Sequence, residues 1–155
     1  MRAATIVLGT CLLLPAPFQA QDKPNFSGEW LLNADKSQFG PIPPPECVGL
    51  RITHREPEFI VEETGLKGAP CGGFKVAYTT DGKQVTYMAA GVRRRAAAAW
   101  VDSSIVIQRV DDDGIRVRIQ SSLSPDGKTL TRDLHGESDL GSADWTYVYD
   151  RVNSF

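Results

Sequence analysis

Three Asp-Gly pairs stand between short segments in which apolar and polar residues alternate, and they restrict the possible folds of this chain more than any other feature. The pairs are Asp81-Gly82, Asp113-Gly114 and Asp126-Gly127. Asp-Gly between alternating segments is a strong signal for the tight turn of a β-hairpin, because glycine accepts the positive φ angle that such turns need. The chain is therefore predicted to form a series of antiparallel hairpins.

Alternation with a period of two runs through most of the chain after residue 25. Ile115, Val117 and Ile119, for example, alternate with arginine and glutamine. This period is typical of strands with one buried face, and no long amphipathic helix is evident. The pattern predicts ten strands, at residues 26–32, 48–54, 58–64, 74–80, 84–88, 96–101, 104–110, 115–123, 129–136 and 143–152.

Ten half-buried antiparallel strands must either pack against a second sheet or close onto themselves. Their hairpin order favours closure over a Greek-key sandwich. We therefore predict an all-β fold, an up-and-down antiparallel β-barrel of about ten strands with little helix. Residues 33–46, which include the Gly40–Pro45 segment, are predicted to be a loop that is polyproline-like in part.

One segment conflicts with this pattern. Residues 93–100 combine three arginines, four alanines and a tryptophan, a composition with good helix propensity. So short a segment without a cap makes a marginal helix, and the flanking strands favour a strand here as well. The basic triplet Arg93-Arg94-Arg95 is either a patch for an anionic surface or, as we prefer, a group pointing mostly to solvent.

The first twenty residues have the layout of a secretory signal peptide. Arg2 supplies a positive start, an apolar run extends to Leu14, and prolines with a small residue at Ala20 follow. The run is too short to span a membrane. We predict a signal peptide at residues 1–20, a single domain at 21–155 and a secreted or periplasmic location. Lipid attachment at Cys11 is an alternative, but it would leave three leucines on the mature chain.

Cleavage after Ala20 leaves two cysteines, Cys47 and Cys71, in an oxidising compartment, which favours a disulfide between them. The alternative is a pair of buried free thiols. Cleavage also leaves 16 basic and 19 acidic residues, a net charge of −3. That balance lacks the basic footprint of a nucleic-acid-binding protein.

Both ends of the mature chain resemble a known family. Gly28 and Trp30 form a Gly-x-Trp signature near the mature start, and Arg151 lies in an aromatic last strand. This combination resembles the calycins, the group of lipocalins and fatty-acid-binding proteins, in which a late arginine packs near the early tryptophan. The resemblance implies a barrel that binds a small hydrophobic or amphipathic molecule, with Trp30 and Arg151 as a structural plug.

The chain also departs from the fatty-acid-binding proteins in two ways. The Pro-rich segment 33–46 is too short for their pair of lid helices. The order Tyr149-Asp150-Arg151 reverses their Arg-x-Tyr anion-binding pair.

Strand parity places several polar side chains on otherwise apolar faces. His54 shares a face with Leu50 and Ile52, and Arg132 lies between Leu130 and Leu134. If these faces point inward, an anionic head group would meet Arg132 or Arg151. The alternative is that His54 ends its strand in solvent and that Arg132 snorkels. The predicted ligand-binding residues are His54, Tyr78, Tyr87, Arg132, Tyr147, Tyr149 and Arg151.

Residues for catalysis or metal binding are not grouped in the sequence. His54 and His135 lie on separate predicted strands, and the residues 111–114 are predicted to be a hairpin turn with solvated charges. We therefore expect no enzyme activity, no metal and no cofactor. The alternative function is an extracytoplasmic protein-interaction or inhibitor β-domain whose barrel is filled with side chains.

Overall fold

The computed structural model describes residues 23–153, and these residues form one antiparallel sheet of ten strands. A 3₁₀ turn at Leu66–Gly68 is the one helical element in that part of the chain. The strands are β1 Gly28–Leu32, β2 Gly49–Arg55, β3 Glu58–Thr64, β4 Lys75–Thr79, β5 Asp81–Ala89, β6 Val92–Val101, β7 Ser104–Asp111, β8 Arg116–Leu123, β9 Thr129–Ser138 and β10 Gly141–Val152.

The strands are connected as a meander, and the first strand pairs with the last. The order across the sheet is β4-β3-β2-β1-β10-β9-β8-β7-β6-β5, so every pair is antiparallel and β1 lies between β2 and β10. The neighbouring edges of β4 and β5 share no ladder, and the barrel is therefore nearly closed. The predicted up-and-down barrel of ten strands is confirmed.

Two of the three Asp-Gly pairs occupy the predicted hairpin turns. Asp113-Gly114 and Asp126-Gly127 lie between strands, and both glycines have positive φ. The prediction for Asp81-Gly82 is wrong, since both residues belong to β5, where the pairing with β6 shifts register between Asp81 and Gln84. A β-bulge can use the same glycine freedom as a turn, and this explains the ambiguity of the motif.

The Ala-rich segment is a strand, as predicted, although its composition favours a helix. Ala96 and Ala98 lie in β6 and are buried in the barrel interior. Pairing with β5 and β7 on both sides fixes the extended conformation, so tertiary contacts override the intrinsic propensity.

The two ends of the barrel differ in how they are built. At one end, which we call the mouth, lie the loops β1–β2, β3–β4, β5–β6, β7–β8 and β9–β10. A disulfide between Cys47 and Cys71 ties the first two of these loops together, which confirms the predicted bond. At the other end, which we call the closed end, the residues before β1 and the last residues of β10 meet. Phe26, Trp30 and Phe59 are completely buried there.

The predicted signal peptide and Cys11 lie outside the described residues. Between residues 23 and 153, no helix is long and apolar enough to cross a membrane.

Candidate functional site

The closed end is sealed by a contact between Trp30 and Arg151. The Arg151 guanidinium carbon lies 4.2 Å from the centre of the Trp30 ring. Its Nη1 donates to the Ser27 carbonyl at 2.7 Å, and its Nε donates to the Gly127 carbonyl at 2.8 Å. The side chain therefore combines a cation–π contact with two backbone hydrogen bonds, and it ties three segments together.

Gly28 makes this contact possible. A Cβ at position 28 would collide with Nη1 of Arg151, and the backbone there has a φ of +149°, which disfavours other residues. The glycine of the Gly-x-Trp signature is thus the surface against which Arg151 lies.

His54 is buried at the same end. Its Nδ1 accepts a hydrogen bond from the Phe26 amide, and its Nε2 lies 2.9 Å from Glu56 Oε1. Glu56 also accepts hydrogen bonds from the Thr80 hydroxyl and the Trp100 indole. Burial raises the pKa of Glu56, but these hydrogen bonds outweigh it and hold the pKa below the ordinary value. All the ring nitrogens of His54 have partners, which gives this histidine a structural role.

A cavity of about 270 Å³ lies between these aromatic rings and the mouth. Apolar and aromatic side chains make most of its wall, and charged side chains project into it from four strands. The lining residues are Pro45, Cys47, Glu63, Gly72, Gly73, Phe74, Ala89, Ala90, Arg94, Arg109, Ile119, Arg132, Leu134, Trp145, Tyr147 and Tyr149. Apolar walls with a few converging polar groups are typical of small-molecule sites.

Arg132 is the most deeply buried cation of this cavity. Only 6% of it is exposed, and it lies on β9 opposite Tyr147 of β10. In the described part of the chain, no carboxylate comes within salt-bridge distance of its guanidinium group. Burial raises the pKa of the nearby Tyr149 hydroxyl, and the positive charge of Arg132 offsets part of that rise. Burying an arginine without a carboxylate partner is costly, so this position has a positive charge that an anion would balance.

Two further arginines share one buried aspartate nearer the mouth. Asp111 is 3% exposed, with Oδ1 lying 2.8 Å from Arg109 Nε and Oδ2 lying 3.4 Å from Arg94 Nε. The N–H bonds are not aimed at the oxygens, and both Nε atoms and Asp111 Oδ1 lack an aligned hydrogen-bond partner. The charges are therefore partly compensated, while hydrogen-bonding capacity remains at the cavity wall.

Glu63 faces this cluster of arginines from β3. Burial raises the pKa of the Glu63 carboxyl, and the positive charges of Arg132, Arg94 and Arg109 offset part of that rise. Burial likewise raises the pKa of Tyr149 to about 12. The tyrosine hydroxyls at the wall are thus neutral hydrogen-bonding groups.

The structure brings together three of the seven predicted ligand-binding residues. Arg132, Tyr147 and Tyr149 line the cavity. Tyr78 and Tyr87 face the interior, with their hydroxyl oxygens 3.5 Å apart, but they do not line the cavity. His54 and Arg151 lie at the closed end, where the hydrogen bonds described above occupy them, so we leave both out of the ligand site.

Sequence reasoning missed four charged residues of the interior. Two expectations need correction: Arg94 does not point to solvent, and Asp111 is not a solvated turn residue. Strand parity, which identified Arg132, could have identified these four residues as well. Arg94 shares a face with Ala96 and Ala98, and the interior face of β7 continues from Ile107 to Arg109 and Asp111. Glu63 similarly follows Phe59 and Val61 on the inner face of β3.

A second cluster of titratable groups lies on the outer surface. Nδ1 of His135 lies 2.7 Å from Asp144 and its Nε2 lies 3.3 Å from Glu137. Hydrogen bonds to Asp144 and Glu137 raise the pKa of His135. Within residues 23–153, no group of three or more His, Cys, Asp or Glu side chains is arranged to hold a metal ion.

Comparison with known proteins gives matches at the level of structure. No family model matches the sequence, and no curated protein matches it. The chain is similar to a zebrafish ileal bile acid-binding protein complexed with cholic acid, with a TM-score of 0.60 and 12% identity over 82% of this chain and 98% of that chain.

Two other solved structures are similar to the same extent. Secretory abundant heat soluble protein 4 from Ramazzottius varieornatus has a TM-score of 0.66 and 10% identity, over 86% of this chain and 100% of that chain. The REP1-NXSQ fatty acid transporter has a TM-score of 0.60 and 9% identity, over 84% of this chain and 98% of that chain. Identities this low establish the fold alone, and that fold is an antiparallel β-barrel of the kind that the resemblance at Gly28, Trp30 and Arg151 implied.

Proposed function

We propose that this protein is a secreted or periplasmic binding protein that holds a small amphipathic anion inside its barrel. In this proposal Arg132 meets the anionic head group, and the apolar wall formed by residues such as Ile119 and Leu134 covers the tail. Tyr147 and Tyr149 contribute aromatic surface and hydroxyl groups.

One observation carries the proposal: a buried arginine without a carboxylate partner faces a mostly apolar cavity. A guanidinium group that is removed from water and left without an anion destabilises a fold. Such a group forms strong, charge-assisted hydrogen bonds to a carboxylate or a similar oxyanion in a low-dielectric surrounding. A binding site explains why this position holds arginine when its neighbours on the same face are Leu130 and Leu134.

Two of the similar structures support a ligand of this kind. One has cholic acid bound to a bile acid-binding protein, and the other is a fatty acid transporter. These names describe those proteins. They support our proposal because both proteins share the barrel fold of this chain, and their names indicate acidic amphipathic ligands.

We prefer binding to catalysis and to the protein-interaction alternative. Among the described residues that line the cavity there is no histidine or serine, and Cys47 is bonded to Cys71. The protein-interaction alternative expects a barrel filled with side chains, whereas a cavity of about 270 Å³ is present. That volume lies just below the range of ~300–1,000 Å³ that is common for ligand pockets.

The disulfide also supports an extracytoplasmic location. Structural disulfides persist in oxidising compartments and are rare in the cytosol. The bond between Cys47 and Cys71 therefore agrees with the signal peptide that we predict at residues 1–20.

Isothermal titration calorimetry with octanoate and 1-octanol tests the proposal. We expect the protein to bind octanoate more tightly than the alcohol. Arg132→Met should weaken octanoate binding by about 10- to 100-fold, since a hydrogen bond to a charged group contributes about 1.5–3 kcal/mol. It should change octanol binding by no more than about threefold.

Arg116→Met is the matched control, because Arg116 is an exposed arginine on the outer face of the neighbouring strand β8. It should leave both affinities unchanged. Equal binding of octanoate by the wild-type protein and Arg132→Met would contradict the role of Arg132. Binding of neither probe, together with no retained ligand, would contradict the function itself.

A further inference from the structure

We propose that the ligand is a compact monoanion, with one acidic head group and a tail of about eight to ten carbons or an equally small ring system. This inference rests on the proposed function and restricts its ligand class. The dimensions of the cavity exclude long-chain lipids.

The volume of the cavity limits the size of the ligand. A cavity of about 270 Å³ holds about nine groups the size of a water molecule, at ~30 Å³ each. An acid of eight to ten carbons has about ten to twelve heavy atoms, which is close to that number. A sixteen-carbon acid would need nearly twice the space.

Aromatic side chains also fill the interior toward the closed end. The rings of Phe26 and Phe59 pack edge to face, with centroids 6.0 Å apart, and Phe26 and Trp100 have centroids 6.0 Å apart. His54 packs edge to face on Phe59 at 5.6 Å. These rings come from the segment before β1 and from β2, β3 and β6, and they fill the closed end of the interior beyond the cavity, so a longer tail cannot extend past them.

The mouth is also tightly packed beside the disulfide. The disulfide joins the β1–β2 loop to the β3–β4 loop beside the cavity. At Gly73 an added Cβ would lie 3.0 Å from Cys47 Sγ and 2.6 Å from Glu63 Cβ, so these segments are in close contact. A tail longer than the cavity therefore cannot extend between these two loops.

The charges of the interior favour a head group with a single negative charge. Arg94, Arg109 and Asp111 together have a net charge of +1. Arg132 adds one positive charge and an ionised Glu63 adds one negative charge, which leaves a net charge of +1 in this part of the interior. A single anion at Arg132 removes the remaining uncompensated charge there. A second anionic group would lie near Glu63 and Asp111, whose carboxyl groups would repel it.

The test is calorimetric titration of the full mature chain, with its disulfide intact, using straight-chain saturated monocarboxylates of 6, 8, 10, 12, 14 and 16 carbons. We expect the affinity to peak at about 8–10 carbons and to fall at least tenfold by 16. In an unrestricted apolar pocket, each added methylene would instead strengthen binding about fourfold.

An affinity that continues to rise through 16 carbons would overturn this inference and leave the proposed function intact. The absence of binding along the whole series would contradict both.

Two matched variants test whether the cavity sets the preferred length. Ile119 lines the cavity, whereas Ile105 is completely buried in the core on β7 and does not line it. Ile119→Ala removes three carbons from the wall, and the preferred acid should become longer by about two or three carbons. Ile105→Ala removes the same atoms elsewhere and should leave the preference unchanged.

The milder pair Ile119→Val and Ile105→Val serves if the alanine variants do not fold, with an expected shift of about one carbon. Unchanged length preference in both Ile119 variants would contradict the inference.

Discussion

A stability measurement on Arg132 follows from the same reasoning as the binding site. Because Arg132 is buried without a carboxylate partner, it should destabilise the ligand-free protein. Methionine has nearly the same length and needs no charge partner. The substitution Arg132→Met should therefore increase the free energy of unfolding, although it removes the residue that we assign to the ligand.

The magnitude can be worked out from the surroundings of the side chain. Replacing buried charges by apolar groups of similar volume stabilises proteins by up to ~4 kcal/mol. The nearby Tyr149 hydroxyl and the attraction to Glu63 compensate for part of the cost of burying Arg132. We therefore expect a gain of about 1–3 kcal/mol, or an increase in Tm of about 3–10 °C for a domain of this length.

The assay is urea unfolding followed by circular dichroism, on protein from which any bound ligand has been removed. Arg116→Met on the outer face of β8 is the control, and its free energy of unfolding should change by less than ~0.5 kcal/mol. Adding octanoate at about 100 times its Kd should stabilise the wild type by about 2.7 kcal/mol and the Arg132 variant much less. A ligand-free Arg132→Met variant that is less stable than the wild type would refute the reasoning, because internal partners would then compensate for the charge.

Three further predictions concern the plug, the disulfide and the interior acid. Gly28→Ala should lower the free energy of unfolding by about 2–4 kcal/mol, because the added Cβ collides with Arg151. An unchanged free energy of unfolding in urea would contradict the structural role of the Trp30–Arg151 plug. Replacing Cys47 and Cys71 together by serine should lower the free energy of unfolding by about 3.5 kcal/mol, because the disulfide closes a loop over a sequence separation of 24 residues. Urea unfolding measures this loss, and an unchanged unfolding midpoint would contradict the prediction. Burial raises the pKa of Glu63 above 4.5, so the folded state binds a proton more tightly than the unfolded state does, and this contribution to stability is lost as pH rises through the raised pKa. Compared with Glu63→Gln, the wild type should therefore lose stability as pH rises from 4.5 through the raised pKa, and parallel curves for the two proteins would show that the prediction is wrong.

Most of the barrel could be predicted from the sequence because its signals are local. Alternation identified all ten strands, and a turn glycine such as Gly114 marks where the chain reverses. The exception was Asp81, whose Asp-Gly pair forms a bulge inside β5. Which of the two a pair forms depends on the partner strand, and a single segment does not contain that information.

The site was only partly predictable, because the interior contains two levels along the barrel axis, a packed closed end and a cavity nearer the mouth. Parity shows that Arg132 and Arg151 face inward, but it does not show at which level of the barrel each one lies. The structure places Arg151 at the closed end, where it donates to two backbone carbonyls, and places Arg132 in the cavity. Depth along the barrel axis depends on the stagger of the strands, which only the register shows.

The neglected charges have a related cause. Arg94 belongs to a run of three arginines, and Asp111 belongs to a run of three aspartates, so both seemed to be solvated. In each run the strand alternation sends one member inward and leaves its neighbours outside. The sheet face that each residue occupies therefore predicts its burial better than its membership in a run of like charges does.

The most direct test of the binding site is native mass spectrometry of the protein purified from its own source, beside Arg132→Met purified in the same way. We predict that the wild type retains one acidic molecule of about the size of a ten-carbon acid and that the variant retains none. A wild-type protein that carries no ligand and binds none of the monocarboxylates, or a variant that retains the same molecule equally well, would contradict the assignment of Arg132 and its cavity as the binding site.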